Sequence, residues 1–529
     1  MWKKEDRNQL PGLLAQDWDI VVVGGGITGA GILLEAARRG LHALLVEQRD
    51  FAWGTSSRSS KLVHGGLRYI KEGKLRLTRD SVRERENLMR EAPGLVDPQP
   101  FAFANYPGRK PGRRAFALGL AIYDRMAKRR ERHWYPREDF LMLAPNVDRD
   151  GLQGGLCYTD AKTDDARLVL RVLQEAVAAG GHAWNYLAAR ELDRHDGKVG
   201  GLVLHDAVTN ADYRVRAKVV INATGAWADR LRQAGNDVHK PGHKLRPLRG
   251  SHLILPAWKL PLAQAISFMH PKDGRPVFAF PWEGATLVGT TDVDHREDLQ
   301  QEAAITPDEA RYLMGALAYQ FPQIKLQASD VIATYAGVRP VIDTGKSDPS
   351  KEGRDHAVWM EDGLLTVTGG KLTTFRLIAL DALQHAKAKL PHWHDKLDLR
   401  PVFREFSLPR PQRLSAMQHA RLAGRLGVNA QAMIAQADAR ELQTIDGTET
   451  LWAELRWAAR HEAVYRLDDL LLRRTRLGLL LAQGGAAILP RVRTLCQAEL
   501  GWDDARWEQE EADYRALWLA HYAPPGETA

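Results

Sequence analysis

One stretch near the start of the chain constrains its fold more than any other: Gly24-x-Gly26-x-x-Gly29 lies between an apolar run and a helical pattern. The run before it, Ile20-Val21-Val22-Val23, has the composition of a strand buried on both faces. After the glycines, Ile32 to Arg39 carries helical spacing, and Gly40 closes the helix at its C-terminal end. Ala43-Leu44-Leu45-Val46 is a second strand that stops at Glu47, which completes a βαβ unit. In such a unit the first glycine permits the tight turn, the second lets the backbone approach a pyrophosphate, and the third lets helix and strand pack closely. The helix N-terminus offers N–H groups to the phosphates. Glu47, 18 residues after the last glycine, is placed to accept hydrogen bonds from a ribose hydroxyl. With strand, helix and acidic residue all in position, the motif reads as a dinucleotide site rather than a chance glycine turn.

The way the domain is completed bears on which dinucleotide it holds. An apolar strand recurs at Lys218 to Ala223 and closes on Thr224-Gly225, and another, Leu364 to Thr368, closes on Gly369-Gly370. A domain assembled from such distant pieces suits a long, fully buried cofactor, which favours FAD over NAD. A second fingerprint is missing, since Gly151-x-x-Gly154-Gly155 has no strand before it. The two cysteines, Cys157 and Cys496, are far apart, so no CxxC iron–sulfur, zinc or dithiol site can be built from neighbours, and no metal is expected. An enzyme so equipped discharges its electrons to a diffusible acceptor such as quinone or oxygen.

At 529 residues, 44% of them hydrophobic and 26% charged, the chain has material for two or three ordinary domains. Between Leu245 and Pro340 the pattern turns to short runs, His252 to Leu255, Ala265 to Met269, Val277 to Phe280 and Thr286 to Val288. These point to a mixed or antiparallel sheet inserted into the nucleotide-binding domain. The Gly369–Thr374 turn leads into a helix running to about Leu390, a Pro-rich linker spans Pro391 to Pro411, and Ala416 to Tyr522 has the helical periodicity of a separate domain. No apolar run reaches the roughly 18–20 residues needed to cross a bilayer. The charged stretch from Met1 to Asp19 lacks the apolar centre of a signal peptide. A cytoplasmic protein in a reducing compartment is expected, peripherally associated with the inner face of the cell membrane.

The segment Gly54-Thr55-Ser56-Ser57-Arg58-Ser59-Ser60-Lys61-Leu62-Val63-His64-Gly65-Gly66-Leu67-Arg68-Tyr69 closely resembles the hallmark of FAD-dependent glycerol-3-phosphate dehydrogenases. Further stretches resemble the same family in the same order: Asp164-Asp165-Ala166-Arg167-Leu168, Asn222-Ala223-Thr224-Gly225, Gly250-Ser251-His252, Gly289-Thr290-Thr291-Asp292, Gly337-Val338-Arg339-Pro340 and Gly369-Gly370-Lys371-Leu372-Thr373-Thr374. In the helical region, Arg460-His461-Glu462 and Arg473-Arg474-Thr475-Arg476 do so too. With the periodicities, the resemblance implies an α/β fold: a discontinuous Rossmann-like FAD-binding domain, an inserted mixed-sheet substrate domain and a C-terminal all-helical domain. The oxidoreductase region is expected over 19–400, with FAD-binding parts near 19–70, 155–245 and 335–395. The substrate domain is expected near 245–335 with parts of 70–155, and the helical domain over 401–529. The resemblance also implies FAD as cofactor, oxidation of sn-glycerol 3-phosphate to dihydroxyacetone phosphate, and quinone as electron acceptor. Glycerol-phosphate oxidases, which use oxygen, are close relatives.

On its own the hydroxyl-rich run Thr55 to Ser60 fits caps and turns, whereas the family match favours cofactor contact. The candidate FAD-binding residues are therefore Gly24, Gly26, Gly29, Glu47, Thr55, Ser56, Ser60, Lys61, His64, Gly66, Ala223, Gly225, Gly370, Lys371 and Thr373. His64 either meets the flavin or is a satisfied buried histidine. Hydride transfer from C2 of the substrate to flavin N5 needs a grip on the phosphate, a base for the C2 hydroxyl and an offset for negative charge on the reduced flavin. Guanidinium forks suit a phosphate dianion, and the resemblance places Arg339 and Arg354 there, with Tyr69 adding a phenolic hydrogen bond. His252 leads into an apolar strand and is the candidate base and substrate contact; a structural core histidine beside an arginine-assisted deprotonation is the other reading. Lys371 begins the turn into a helix, so its charge and the helix dipole can both face the flavin's pyrimidine edge. His252, Arg339 and Lys371 are the expected catalytic residues.

The net charge is +8, from 74 basic and 66 acidic residues, and most of the excess sits in one place. Arg109 to Arg132 holds nine basic residues against two acidic ones, Asp124 and Glu131, around the apolar Ala115 to Tyr123. One reading is an interfacial helix on anionic lipid, each basic residue near the surface contributing about 1 kcal/mol; the other is a core helix with solvated ends. A quinone-reducing enzyme needs the membrane, so peripheral contact through Arg109–Arg132 is the expectation. Rival functions are an amine or 2-hydroxy-acid flavin oxidase, with the arginines on a carboxylate, and an FAD-containing RNA-binding protein. RNA binding calls for exposed aromatics, and this stretch offers only Phe116 and Tyr123, so no nucleic-acid partner is expected. The helical domain either caps the fold or makes a homodimer.

Overall fold

Along the strand Asp17–Val23, successive side chains enter two different cores. Ile20 and Val22 pack with Leu33, Leu45 and Phe375, while Val21 and Val23 pack with Trp18, Leu202 and Val215. Side chains alternate along a strand, so an unbroken apolar run requires cover on both faces. The computed structural model describes residues 2, 4–234, 245–346, 352–353 and 355–526, without the side chains at 4, 68 and 71. Among these, the first strand is central to an eight-stranded sheet. It pairs in parallel with Ala43–Val46, Val22 opposite Leu45, and with the end of Ala211–Asn222, Val22 opposite Ile221. Leu364–Gly369 and His182–Trp184 extend the parallel part on either side. The helices Ile27–Ala37, Asp165–Ala178 and Phe375–Ala386 cover one face. A meander of Leu187–His195, Lys198–Asp206 and the start of Ala211–Asn222 covers the other. The pieces near 20, 220 and 365 thus meet in one sheet, as the discontinuous reading requires.

A second, ten-stranded sheet is mixed. Leu245–Pro256 pairs antiparallel with Ala333–Ile342, Leu248 opposite Arg339 and His252 opposite Tyr335, and with Ala285–Gly289, His252 opposite Gly289. Val96–Asn105 pairs antiparallel with Gly154–Thr163 and parallel with Ala265–Met269. Three strands that fall wholly or largely in the segments expected for the cofactor domain, Leu62–Val63, Gly154–Thr163 and Ala333–Ile342, pair in this sheet. Short apolar runs carry no mark of the sheet they will join.

The C-terminal helical domain is present but shares its core with this sheet. Leu455, Leu471, Leu477 and Trp507 belong to the same cluster as Phe280, Trp282, Leu287 and Tyr335. Buried ion pairs add to the attachment. A six-residue π-helical turn, Asp469–Arg474, delivers Arg473 and Arg474 to Asp50, with Arg474 Nη1 and Nη2 at 2.6 and 2.8 Å from its two oxygens. Arg476 meets Asp164 at 2.9 Å and also Asp165, and Arg167 meets Glu462 at 2.6 Å. The expected helical domain is therefore packed closely on the substrate sheet, which its sequence did not announce, because periodicity identifies helices but not the surface they cover. Among the described residues no helix is long and apolar enough to cross a membrane.

Candidate active site

The strands Asp17–Val23, Ala211–Asn222 and Leu364–Gly369 all end, at their carboxyl sides, on a cavity of about 520 Å³. This is where open α/β sheets bind ligands. Gly24 has φ +117°, and a Cβ there would lie 2.5 Å from the Ala223 carbonyl oxygen. At Gly29 a Cβ would lie 1.9 Å from the Gly24 oxygen, so the third glycine serves helix–strand packing and stays out of the cavity wall. Gly26 caps the helix Ile27–Ala37 without a side chain, leaving backbone at the cavity, and the Ile27 N–H donates to Ser56 Oγ at 3.0 Å. Glu47 accepts from the backbone N–H of Gly25 at 2.7 Å and of Arg49 at 2.9 Å. A carboxylate has about four lone-pair sites, so it retains acceptors for ribose hydroxyls.

Of the expected cofactor residues, Gly24, Gly26, Glu47, Thr55, Ser56, Ala223, Gly225, Gly370 and Lys371 line this one cavity. The others do not. Lys61 is wholly buried, with Nζ on the Ser57 carbonyl at 2.6 Å and on both oxygens of Asp165 at 2.9 and 3.0 Å. Burial pulls its ammonium down to about 8 against the opposing pull of Asp165. It stands outside the cavity lining and ties the hydroxyl-rich loop to the helix Asp165–Ala178. Ser60 points to His252, its Oγ 2.9 Å from Nε2. Thr373 clasps the His64 backbone, accepting from its N–H and donating to its carbonyl, both at 3.2 Å. Gly66 backs the Tyr69 ring. Sequence reasoning missed Trp53, Arg190, Trp227, Arg230 and Gln300 in the cavity wall. Trp53 and Trp227 each adjoin a quoted motif, whereas Arg190 lies on a meander strand without one.

Lys371 caps the turn into the helix Phe375–Ala386. Its Nζ donates to Ser81 Oγ at 2.9 Å and sits 3.9 Å over the Tyr69 ring, so lysine and tyrosine converge beside the cavity. Arg339 is half-buried, with Nη1 on Asp292 Oδ1 at 2.8 Å and Nη2 on Thr290 Oγ1 at 3.2 Å. Its neighbour Pro340 lines the cavity. Asp292 also meets Arg275 at 3.3 Å, a second guanidinium that no motif announced. Arg354 lies outside the described residues. His252 is fully buried and stacked on Tyr335 at 4.5 Å, and its Nδ1 has no hydrogen-bond partner among the described residues. Burial, then the positive charges of Arg339 and Lys61, hold its imidazolium well below the ordinary histidine range, so it is neutral. It does not itself line the cavity; among the described residues its side chain's hydrogen-bond partner is Ser60.

Glycine-lined walls, a helix N-terminus capped by glycine and a carboxylate with spare acceptors together fit a dinucleotide. Comparison with known proteins agrees. Residues 19–376 match the model of the FAD dependent oxidoreductase family, and residues 387–507 match that of the C-terminal domain of alpha-glycerophosphate oxidase. The aerobic glycerol-3-phosphate dehydrogenase of Bacillus subtilis is 40% identical over 379 residues, 71% of this chain and 68% of that one. Its counterpart from Staphylococcus haemolyticus is 34% identical over 486 residues, 87% of each chain. Among solved structures, the glycerol-3-phosphate dehydrogenase from Bacillus halodurans complexed with FAD matches over 100% of both chains, with TM-score 0.78 and 26% identity.

Proposed function

Because this chain belongs to the family of FAD-dependent glycerol-3-phosphate dehydrogenases, we propose that it oxidises sn-glycerol 3-phosphate to dihydroxyacetone phosphate and passes the electrons to a membrane quinone. FAD is its cofactor. The reading rests most on one observation: the glycine-lined helix N-terminus, Glu47 and Lys371 share one cavity, next to the strand that carries Arg339.

Bound FAD supplies the hydride acceptor. Arg339 grips the substrate phosphate. Its fork is already oriented by Asp292 and Thr290, so less freedom is lost when the anion arrives. Arg354 is the second phosphate ligand and Tyr69 offers its hydroxyl. As C2 gives up its hydride, its hydroxyl proton passes to neutral His252 by way of Ser60, the hydroxyl hydrogen-bonded to Nε2. The Lys371 ammonium, with Ser81 and Tyr69 fixing its direction, offsets the negative charge that develops beside it.

The acceptor reading draws on the helix Arg113–Ala127. It buries only Leu120, Tyr123 and Asp124, and Leu118 is 66% exposed. Arg113, Arg114, Arg125, Lys128, Arg129 and Arg130 are exposed around this half-covered apolar face. A wholly enclosed core helix would not look like this, whereas a helix at an anionic lipid surface would. Tyr123 is buried and Phe116 packs on Phe103 at 4.5 Å, so neither presents a ring for base stacking. The exposed basic helix supports a peripheral site on the cytoplasmic face of the membrane as part of this proposal. Oxygen is the second acceptor to consider, because residues 387–507 match an oxidase-derived family model. Turnover with glycerol 3-phosphate decides between them: rapid reduction of a quinone analogue with little hydrogen peroxide is expected. Peroxide formed as fast as substrate is consumed would make it an oxidase.

A further inference from the structure

Glu302, in the loop before the helix Pro307–Gln320, is 7% exposed and accepts from three directions. Its Oε1 takes the indole N–H of Trp53 at 2.7 Å, and its Oε2 takes the Tyr522 hydroxyl at 2.6 Å and pairs with Arg58 at 2.8 Å. Arg58 also donates to the Tyr522 oxygen at 2.9 Å and to the Trp53 carbonyl. Burial alone would raise the Glu302 carboxyl, but Arg58, then Arg473, then the bonds from Tyr522 and Trp53 bring it down to about 2, so it is ionised. The four side chains form a closed, buried ring of charge-assisted hydrogen bonds, the stronger kind.

The ring has one member in the cavity and one in the last helix. Trp53 opens the run Trp53-Gly54-Thr55-Ser56, which is cavity wall. Tyr522 ends the helix Asp504–His521 as its C-terminal cap. The Tyr522 carbonyl also accepts from the Thr334 N–H at 2.7 Å, on the strand that carries Arg339, and Thr55 Oγ donates to the Val338 carbonyl of that strand. Other anchors of the same helix, Trp518 Nε1 to Gly478 O at 2.7 Å and Tyr514 hydroxyl to Gly484 O at 2.6 Å, stay within the helical domain. Tyr522 alone among these reaches the cofactor wall. We propose that Tyr522 is a positioning residue for FAD: through Glu302 and Arg58 it holds Trp53 to Ser56 in the shape the cofactor requires, so the helical domain completes the cofactor site.

This rests on the reading that the cavity holds FAD, and Gly26→Val tests that reading separately by filling the pyrophosphate approach. If Gly26→Val keeps FAD, the cavity reading fails whatever Tyr522 does. The proposal itself is tested on the holoenzyme by following flavin fluorescence as FAD dissociates on dilution, with thermal melting in parallel. Removing one charge-assisted hydrogen bond in Tyr522→Phe should weaken FAD retention about tenfold. Glu302→Gln, which keeps an acceptor for Trp53 but loses the ion pair, should loosen FAD as well and serves if Tyr522→Phe does not fold. Trp518→Phe should lower the melting temperature and leave FAD retention unchanged. Wild-type retention in Tyr522→Phe or Glu302→Gln would overturn the proposal. So would a Trp518→Phe that releases FAD equally, since helix stability would then explain the effect.

Discussion

Arg339 leans on Asp292, and that pairing shapes what its removal does. If Arg339 holds the substrate phosphate as proposed, Arg339→Ala removes a guanidinium from it, while Asp292, almost without solvent contact, keeps Arg275. A hydrogen bond between charged groups contributes about 1.5–3 kcal/mol, so KM for glycerol 3-phosphate should rise roughly ten- to a hundredfold with the flavin still bound. Isolation of apoprotein instead would place the residue in the cofactor site. His252 gives a prediction in pH. Burial and the charges of Arg339 and Lys61 depress its folded pKa. The neutral form therefore persists below the ordinary histidine value of about 6.5. Its contribution to stability is full above that value and is lost as pH falls towards the depressed folded pKa. If His252 takes the substrate proton, the acid limb of kcat/KM lies below pH ~6.5, and a limb at or above that value would remove it as the base. The sequence made the glycine fingerprint legible because steric contact dictates each position. It did not show that Ser60 engages His252 or that Lys61 engages Asp165. Their partners, His252 and Asp165, lie 192 and 104 residues further on, and a motif does not say which of its hydroxyls and amines are already engaged.

At the scale of elements, the helix Arg113–Ala127 joins the charged surface to the centre of the fold. Its outer side carries the exposed arginines and Leu118; on its inner side the Tyr123 hydroxyl donates to Asp160 and accepts from the Gly65 N–H at 2.8 Å. Both facts follow from one helical period, but composition alone gives a wet amphipathic helix and a core helix equal standing. In the folded chain Leu118 is exposed while Leu120 and Tyr123 are buried, which favours the proposed lipid contact. Replacing Arg113, Arg114, Arg129 and Arg130 by Gln should remove about 4 kcal/mol of attraction to anionic lipid. Sedimentation with anionic liposomes should then fall sharply while dye-linked activity is unchanged, and undiminished binding would return the helix to a purely structural role. Strand positions were legible from apolar runs, since Ala265–Met269 and Ala43–Val46 fall where the runs do. Strand partners were not, because pairing is decided by contacts distant in sequence.

Across the molecule, buried polar ties bind the helical domain to the cofactor region, among them Arg473 and Arg474 on Asp50, Arg476 on Asp164 and Asp165, and Tyr522 on Glu302 and Arg58. Several belong to motifs that the sequence presented as separate family elements. Arg167 and Glu462, for example, are 295 residues apart and form one buried pair. Their charge and position could be read in sequence, but their complementarity could not, because it exists only once both sheets are folded. Buried charges left without partners are costly, which explains why these distant segments occur together. The most direct test of the enzyme reading is anaerobic titration of the purified yellow protein, followed at the absorption of oxidised flavin. Glycerol 3-phosphate should bleach it stoichiometrically, while amino acids and 2-hydroxy acids leave it yellow. A flavin that glycerol 3-phosphate fails to reduce, or that an amino acid reduces as readily, would contradict the assignment.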